Sequence, residues 1–276
     1  MPRSTSTTPP PAEEIAAAFR SPVAPELLSH LQATPNYLAH VWPALAASID
    51  TAGLLGSALY LADMALDAVE EVYEPVLTRA ALLEAIPAPE LEAVESVLAV
   101  FHYLQPQALL VGAALAEAFE RPTVRGAGRA EPRPANPREQ AHLATAIPSR
   151  AAVSPLLAEI SETLQLPEAP QLYAILAHWP GYLTASWDEL QHLAAYPDFR
   201  RRGRALYYYA RSGARFLAQE LHADPPALRA AGIADEEIEA ARAVVDAALP
   251  ALATMVMHAT AMRLALGHTA REVVGV

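Results

Sequence analysis

The polar side chains that interrupt two long apolar runs are the first candidates for chemistry. His102, Tyr103 and Gln105 lie in an apolar run of the N-terminal half, and Asp246 and His258 lie in one of the C-terminal half. A carboxylate on a buried face is costly unless it is paired or functional, and histidine and aspartate can transfer protons. His102 and Asp246 are therefore candidate catalytic groups, and Tyr103 and Gln105 are candidate substrate contacts. A satisfied core histidine and a capping aspartate are the structural alternatives, and His258 is the weaker candidate.

An acidic segment raises the question of a metal site. Asp63 and Asp67 are one helical turn apart, followed by Glu70, Glu71 and Glu74. Oxygen ligands on one face could hold a divalent cation, but a solvated face that pairs with arginine is the favoured interpretation, and we predict no metal. The second half carries a matching basic segment with Arg200, Arg201, Arg202, Arg204, Arg211 and Arg215. These opposite charges predict either attraction between the two halves or an anion bound on the arginine side.

Composition excludes several classes of chemistry. The 276 residues include no cysteine, so thiol nucleophiles, disulfides and thiolate metal sites are excluded. All 19 basic residues are arginine, which also excludes Schiff-base lysine chemistry and a P-loop. A formal charge of −12 argues against a nucleic-acid partner. We expect a small-molecule partner and no cofactor.

The chain is predicted to be all-α. Ala, Leu and Glu dominate, and apolar residues recur at helical spacing. We expect about ten to thirteen helices and no sheet. Several prolines stand where a helix could begin, whereas Pro106 and Pro250 fall inside long apolar runs and should kink or break their helices.

One pattern occurs twice in the chain. P-x-Y-L-x3-W-x2-L begins at Pro35 and recurs from Pro180, with tryptophans at 42 and 187. Such a repeat predicts two structural units that pack as an intramolecular pseudo-dimer, with Trp42 and Trp187 at equivalent positions. The groove between the units is then the expected place for a site.

The predicted boundaries follow from this duplication. Repeat one covers 13–121 and repeat two covers 151–276, supported by similar acidic helix starts near 89 and 236. Residues 1–12 are predicted to be a disordered tail, and 122–150 an exposed Pro- and Arg-rich linker. We predict a cytoplasmic protein, because no signal peptide is evident and polar residues or prolines cut the apolar runs before they reach membrane-spanning length. A homodimer is left open.

Several segments together are similar to one enzyme family. The repeated pattern, FHYLQPQALLV at 101–111, ERPTVRG at 120–126 and AHWPGYL at 177–183 resemble the group I (DehI-type) 2-haloacid dehalogenases over nearly the whole chain. The resemblance implies an all-α pseudo-dimer of two repeats with the active site buried between them. It also implies an aspartate that activates water for direct attack on the halogen-bearing carbon, and an asparagine that helps to hold the water.

The catalytic positions of that family differ here. With the Trp-Pro pair at 179–180 aligned, the resemblance puts Leu172 in place of the aspartate and Gln171 in place of the preceding serine. Gln105 stands in place of the asparagine, and Ala108 replaces a tyrosine three residues later. Because leucine cannot accept a proton, ordinary dehalogenation is not expected.

Three further pocket positions are also changed. The resemblance puts Val23 and Glu26 in place of two aromatic residues, and Ala248 near a tyrosine of the second repeat. The smaller side chains at Val23, Ala108 and Ala248 predict a larger cavity for a bulkier ligand. Glu26 adds a carboxylate, and it joins His102 and Asp246 as a candidate catalytic residue.

Three functions therefore remain open. The first is an enzyme of this fold with altered acid–base chemistry, a hydrolase, lyase or cyclase, acting on a carboxylate-bearing or polyketide-like compound. The second is a dehalogenase that uses a relocated carboxylate, Glu26 or Asp246. The third is a ligand-binding protein without catalysis. The fold alone does not decide among them.

Overall fold

The protein folds almost entirely into helices. The computed structural model describes residues 8–121, 128–214, 217–269 and 271. Over these residues there are thirteen α-helices and a 3-10 turn at Leu31–Ala33, and the only β-pairing is an isolated bridge between Thr51 and Pro132. This confirms the all-α prediction. The helices are α1 (Ala12–Ala18), α2 (Glu26–His30), α3 (Pro35–Ile49), α4 (Ala52–Glu70), α5 (Arg79–Ala85), α6 (Ala88–Glu120), α7 (Pro137–Ala144), α8 (Pro155–Leu164), α9 (Gln171–Leu176), α10 (Pro180–Ala195), α11 (Pro197–Gly213), α12 (Pro225–Ala230) and α13 (Asp235–Ala265).

The two longest helices, α6 and α13, pack against each other at the centre of the molecule, and α4 and α11 pack on both of them. Pro106 lies inside α6 and Pro250 inside α13, and neither proline ends its helix. A proline in a helix interior removes one backbone hydrogen bond and costs about 3 kcal/mol or more. Both helices continue because their apolar faces are packed into the core. The alternative of a helix break at these prolines is therefore wrong.

Equivalent details recur in the two halves of the chain. The indole nitrogen of Trp42 donates to Glu14 at 2.6 Å, and that of Trp187 donates to Glu159 at 2.9 Å. The two tryptophans lie in α3 and α10, and both acceptors are 28 residues earlier in the chain. The residues that precede these helices also share a backbone conformation, with φ and ψ of −121° and 70° at Thr34 and −119° and 73° at Trp179. These correspondences support the predicted repeat.

The segment between the halves is less exposed than predicted. Residues 122–127, which include most of the ERPTVRG motif, lie outside the described residues, but Arg133 and Glu139 are both buried. Arg133 donates to Glu139 at 2.9 Å and to Gln107 of α6 at 3.0 Å, and the Tyr103 hydroxyl contacts both charged groups. A buried ion pair of this kind ties the segment to the core, so the prediction of an exposed linker is wrong around these two residues.

The predicted tail is also partly placed. Residues 1–7 lie outside the described residues, whereas Pro10 is buried and its carbonyl accepts a hydrogen bond from Gln32 at 2.8 Å. The chain is therefore anchored before α1 begins.

Three helices are long and apolar enough to cross a membrane by length and composition: α4, α6 and α13. We expected polar residues or prolines to cut every apolar run before it reached membrane-spanning length. Pro106 and Pro250, however, lie inside α6 and α13 and do not end these helices. The most apolar window of α6 is 94% buried within the protein, against 50% for α4 and 44% for α13. The cytoplasmic location stays a prediction.

Candidate functional site

A cavity of about 360 Å³ lies between the two halves of the chain. It is walled by α2, α6, α9 and α13 together with the short segment that leads into α9. Its volume is in the range of small-molecule sites. The lining residues include Glu26, His30, Phe101, Leu104, Gln105, Ala108, Glu168, Gln171, Leu172, Ala248, Ala251, Leu252 and Met255.

The walls contain residues that the predicted repeat pairs between the two halves of the chain. The 145-residue offset of the repeated pattern relates Pro25 to Pro170 and Glu26 to Gln171. Aligning the first residue of α6 with the first residue of α13 pairs further wall positions. In order, Phe101, Leu104, Gln105 and Ala108 of α6 then correspond to Ala248, Ala251, Leu252 and Met255 of α13. All of these residues line the cavity. A cavity on the axis of the predicted pseudo-dimer would be lined in this way.

Six residues that the resemblance put at a pocket do line this cavity, namely Glu26, Gln105, Ala108, Gln171, Leu172 and Ala248. Leu172 is fully buried, and Ala108 is 2% exposed. The wall at position 172 is therefore apolar, without a carboxylate that could activate water. The functional roles of these residues stay predictions.

Glu26 forms the polar side of the cavity mouth. One carboxylate oxygen accepts from Arg150 at 2.5 Å, and the other accepts from the backbone amide of Gln171 at 3.0 Å. Gln171 is the first residue of α9, where an unpaired backbone amide and the helix dipole favour a carboxylate. Glu26 thus joins the N-terminal half to the start of a helix of the C-terminal half.

His30 and Glu168 stand beside Glu26. The His30 ring nitrogen Nε2 lies 3.0 Å from a Glu168 oxygen, and the other Glu168 oxygen accepts from Arg150 at 3.0 Å. One ligand atom from each of Glu26, His30 and Glu168 lies within 4.8 Å of the others, a spacing that could hold a metal ion. The Arg150 guanidinium, however, already contacts both carboxylates. We therefore infer that the Arg150 guanidinium, and not a metal ion, is the positive charge that balances these two carboxylates.

Gln105 is the polar group deep in the cavity. Its side chain is only 6% exposed, and its amide oxygen Oε1 has no hydrogen-bond partner among the described residues. A buried acceptor without a partner is costly unless a ligand or a water molecule satisfies it. A half-turn of the Gln105 amide, which exchanges its oxygen and nitrogen, would present this acceptor to a ligand in the cavity.

His102 is not part of this cavity. It lies on another face of α6, where its Nδ1 is 2.5 Å from an Arg263 guanidinium nitrogen. Burial, and then the nearby Arg263 charge, lower the pKa of His102 well below its ordinary value. The ring is therefore neutral, and its Nδ1 lone pair accepts from Arg263, so the contacts do not bring it near a ligand in the cavity.

The other predicted site residues lie elsewhere as well. Tyr103 belongs to the buried network with Arg133 and Glu139. Val23 is partly buried and packs against the core without lining the cavity. Asp246 is exposed, lies 3.7 Å from Arg242, and lines a different cavity on the far side of α13.

Three residues at the cavity mouth were not predicted as site residues: His30, Glu168 and Arg150. The sequence contains one usable signal, because His30 follows Glu26 by four residues and such residues share a helix face. Arg150 is brought in by tertiary structure from the end of the segment between the halves, and no local pattern marks it.

No family model matches this chain, and no curated protein matches its sequence. Solved structures do match. A D-2-haloacid dehalogenase mutant in complex with D-2-CPA superposes with a TM-score of 0.81 at 18% identity, covering 96% of this chain and 98% of that one. The chain has the fold of that enzyme. A D-2-haloacid dehalogenase complex with L-LA gives a TM-score of 0.80 at 19% identity, and a further mutant gives 0.81 at 20% identity, each covering 96% of this chain and 99% of the other.

These matches confirm the predicted likeness at the level of the fold. The identities are low, so they do not assign a reaction to this chain. The replacement of a catalytic aspartate by Leu172 stays a prediction.

Proposed function

We propose that the protein is a cofactor-independent enzyme that performs acid–base chemistry on an uncharged, mostly apolar small molecule in the cavity between the repeats. The observation that carries the proposal is the combination of two features in one cavity. A cluster of Glu26, His30 and Glu168 stands at the mouth, and the unpaired Gln105 oxygen lies deep inside.

Glu26 is the proposed general base. A carboxylate has about four acceptor sites on its two oxygens, and the contacts with Arg150 and Gln171 use two of them. The remaining sites can accept a proton from a bound substrate. The backbone amide and the guanidinium hold the carboxylate in position, which favours catalysis because little reorganisation is then needed.

The His30–Glu168 pair is the proposed route for the proton. Glu168 orients the imidazole through the 3.0 Å contact with Nε2. A histidine oriented by a carboxylate can pass a proton between a neighbouring group and solvent. His30 is half exposed, with 45% of its side chain accessible, so it connects the cavity to bulk water.

The substrate class follows from the charges around the cavity. Most lining residues are apolar, and Arg150, the cation at the mouth, already pairs with two carboxylates. An anionic substrate would therefore lack a counter-charge at this mouth. A neutral molecule with a hydroxyl or amide group fits better, because that group could donate to the Gln105 oxygen.

Binding without catalysis is the second candidate. Leu172 favours it, since a fully buried leucine forms the wall where the resemblance puts the water-activating residue. Under this alternative, Glu26 and its partners only close the mouth.

A reaction that needs only a base separates the two candidates. In 5-nitrobenzisoxazole a base removes the proton on the ring carbon, the N–O bond breaks, and a nitrile and a coloured phenolate form. We expect saturable ring opening by the wild-type protein, and a decrease in kcat of about 10²-fold in Glu26→Gln with little change in KM. Equal turnover in the variant, or no acceleration over buffer, would contradict the enzyme proposal. Glu84→Gln, which changes an exposed glutamate outside the cavity, is the matched control.

A further inference from the structure

A second cavity, of about 640 Å³, lies on the opposite side of α13 from the first. Helix α13 forms a shared wall: Ala248, Leu252 and Met255 line the first cavity, whereas Leu249, Ala253 and Met257 line the second. The end of α8, the end of α10 and the first half of α11 complete the second cavity. The proposed function does not involve this space.

His258 provides a buried polar group at this cavity. It is fully buried, and its Nδ1 lies 2.6 Å from the Tyr173 hydroxyl. Burial raises the pKa of Tyr173 well above its ordinary value and lowers the pKa of His258 to about 3. Both groups are therefore neutral. Because the phenol has no other hydrogen-bond partner among the described residues, it donates to Nδ1, and the imidazole proton is on Nε2.

The Nε2–H group of His258 has no partner within the described part of the chain. An unsatisfied buried donor costs free energy in the empty protein. His258 belongs to the wall of the cavity but has no accessible surface there, so this donor stays beneath the wall.

Two arginines give the cavity its charge. Arg200 and Arg204 are one turn apart on α11, both line the cavity, and neither forms an ion pair with a described residue. Other arginines of the same helix are already paired, Arg202 with Glu71 and Arg211 with Glu117. The basic segment was predicted either to attract the first half of the chain or to bind an anion. Arg202 and Arg211 pair with acidic residues of the first half, whereas Arg200 and Arg204 have no acidic partner among the described residues.

The walls between these polar groups are aromatic and apolar. Phe199, Tyr207 and Tyr208 of α11 line the cavity, and the Phe199 ring lies 5.6 Å from the His258 ring. Aromatic walls favour flat apolar molecules through stacked or edge-to-face contacts. One carboxylate, Asp246, also lines the cavity, and it lies 3.7 Å from Arg242.

We propose that this cavity binds an organic anion with an aromatic body. The anionic group contacts Arg200 and Arg204, and the aromatic body packs on Phe199 and Tyr207. This site is independent of the proposed function, because the two cavities have no lining residue in common.

A fluorescent pair of probes tests the proposal: 8-anilinonaphthalene-1-sulfonate, which is an anion, and N-phenyl-1-naphthylamine, which has the same rings without the charge. Gly203 of α11 lines the cavity, and a β-carbon there would lie 3.9 Å from Met257, an ordinary contact. Gly203→Phe should therefore fill the cavity without disturbing the helix. We expect it to weaken binding of the sulfonate by at least about tenfold, whereas Ala248→Phe, in the first cavity, should not.

A second variant removes the charge without filling the space. Arg200→Gln combined with Arg204→Gln should weaken the sulfonate by about tenfold. The affinity for the uncharged probe should be unchanged, because without an anionic group that probe binds the first cavity instead. Circular dichroism and the thermal midpoint check that each variant is folded. If sulfonate binding is unchanged in both variants, or is lost only in Ala248→Phe, the proposed site is wrong. If Gly203→Phe does not fold, the arginine variant decides alone.

Discussion

The carboxylate of Glu26 accepts a hydrogen bond from the backbone amide of Gln171, the residue exactly one repeat offset of 145 positions later in the chain. In the predicted pseudo-dimer, residues that meet their own equivalents would lie on the pseudo-twofold axis. The contact joins the two halves of the chain at the wall of the first cavity. Arg150, from the segment that joins the halves, binds the same carboxylate.

The repeat predicts matched effects of matched substitutions. Trp42→Phe and Trp187→Phe each remove an indole N–H group that donates to a glutamate. We expect each to lower the free energy of unfolding by roughly 1 to 3 kcal/mol, from the lost hydrogen bond and the lost packing volume. Urea unfolding measures this, with Trp179→Phe as a control. Strongly unequal losses at the two positions would argue against equivalent environments.

The buried network around Arg133 predicts a large and non-additive effect. Arg133→Met leaves Glu139 in the interior with Arg20 as its remaining cationic partner. Breaking a buried ion pair from one side costs about 3 to 5 kcal/mol, whereas removing both charges costs less. The double variant Arg133→Met with Glu139→Gln should therefore be more stable than Arg133→Met alone. Additive losses in urea unfolding would show that the two residues do not interact energetically.

Acid should destabilise the fold through its buried histidines. Burial lowers the pKa of His258 to about 3, and burial with the Arg263 charge lowers that of His142 to about 4. In the unfolded chain histidine titrates near a pKa of about 6.5. As the pH falls from about 6.5 towards 4, the unfolded chain therefore binds protons that the folded chain does not, and the free energy of unfolding decreases.

His258→Gln isolates one part of this pH dependence. The amide cannot titrate, but it can accept from the Tyr173 hydroxyl. Urea midpoints measured from neutral to acidic pH should decrease less steeply in the variant than in the wild-type protein. Parallel decreases would mean that His258 does not contribute.

The fold was predictable to a large degree. The proline and aromatic register of the repeated pattern placed α3 and α10 correctly, because a proline at the first helical position and a buried tryptophan give strong local signals. The buried position of Arg133 was not predictable. A charged residue in a Pro-rich segment is usually exposed, and only tertiary contacts with Glu139 and Gln107 show otherwise.

The site was predictable only in part. Along α6 the cavity face consists of residues 101, 104, 105 and 108, the spacing of one helical stripe. Gln105 belongs to that stripe. His102 is the residue after Phe101, so it lies on another face of the helix, where it contacts Arg263. Asp246 is displaced in the same way on α13 and faces the second cavity. Sequence periodicity identifies the stripes of a helix, but it does not identify the neighbour that each stripe meets.

The absence of 2-haloacid dehalogenation at an enzymatic rate is a separate expectation. Position 172, where the resemblance puts the water-activating aspartate, is a leucine, so no base is expected there for 2-chloropropionate. Arg150 already pairs with two carboxylates and is therefore not available to bind the substrate carboxylate. Chloride release from either enantiomer should stay below about 1 per second, which is slow for an enzyme. Faster release that depends on Glu26 would instead support a dehalogenase with a relocated base.

Binding of an uncharged ligand between the repeats is the central claim, and a fluorescence titration with N-phenyl-1-naphthylamine tests it most directly. Ala248 lines the first cavity and is the predicted repeat equivalent of Phe101, so Ala248→Phe should fill the cavity and weaken binding by at least about tenfold. Gly203→Phe, in the second cavity, is the matched control and should leave the affinity unchanged. Unchanged affinity in Ala248→Phe, or a loss only in Gly203→Phe, would contradict the account.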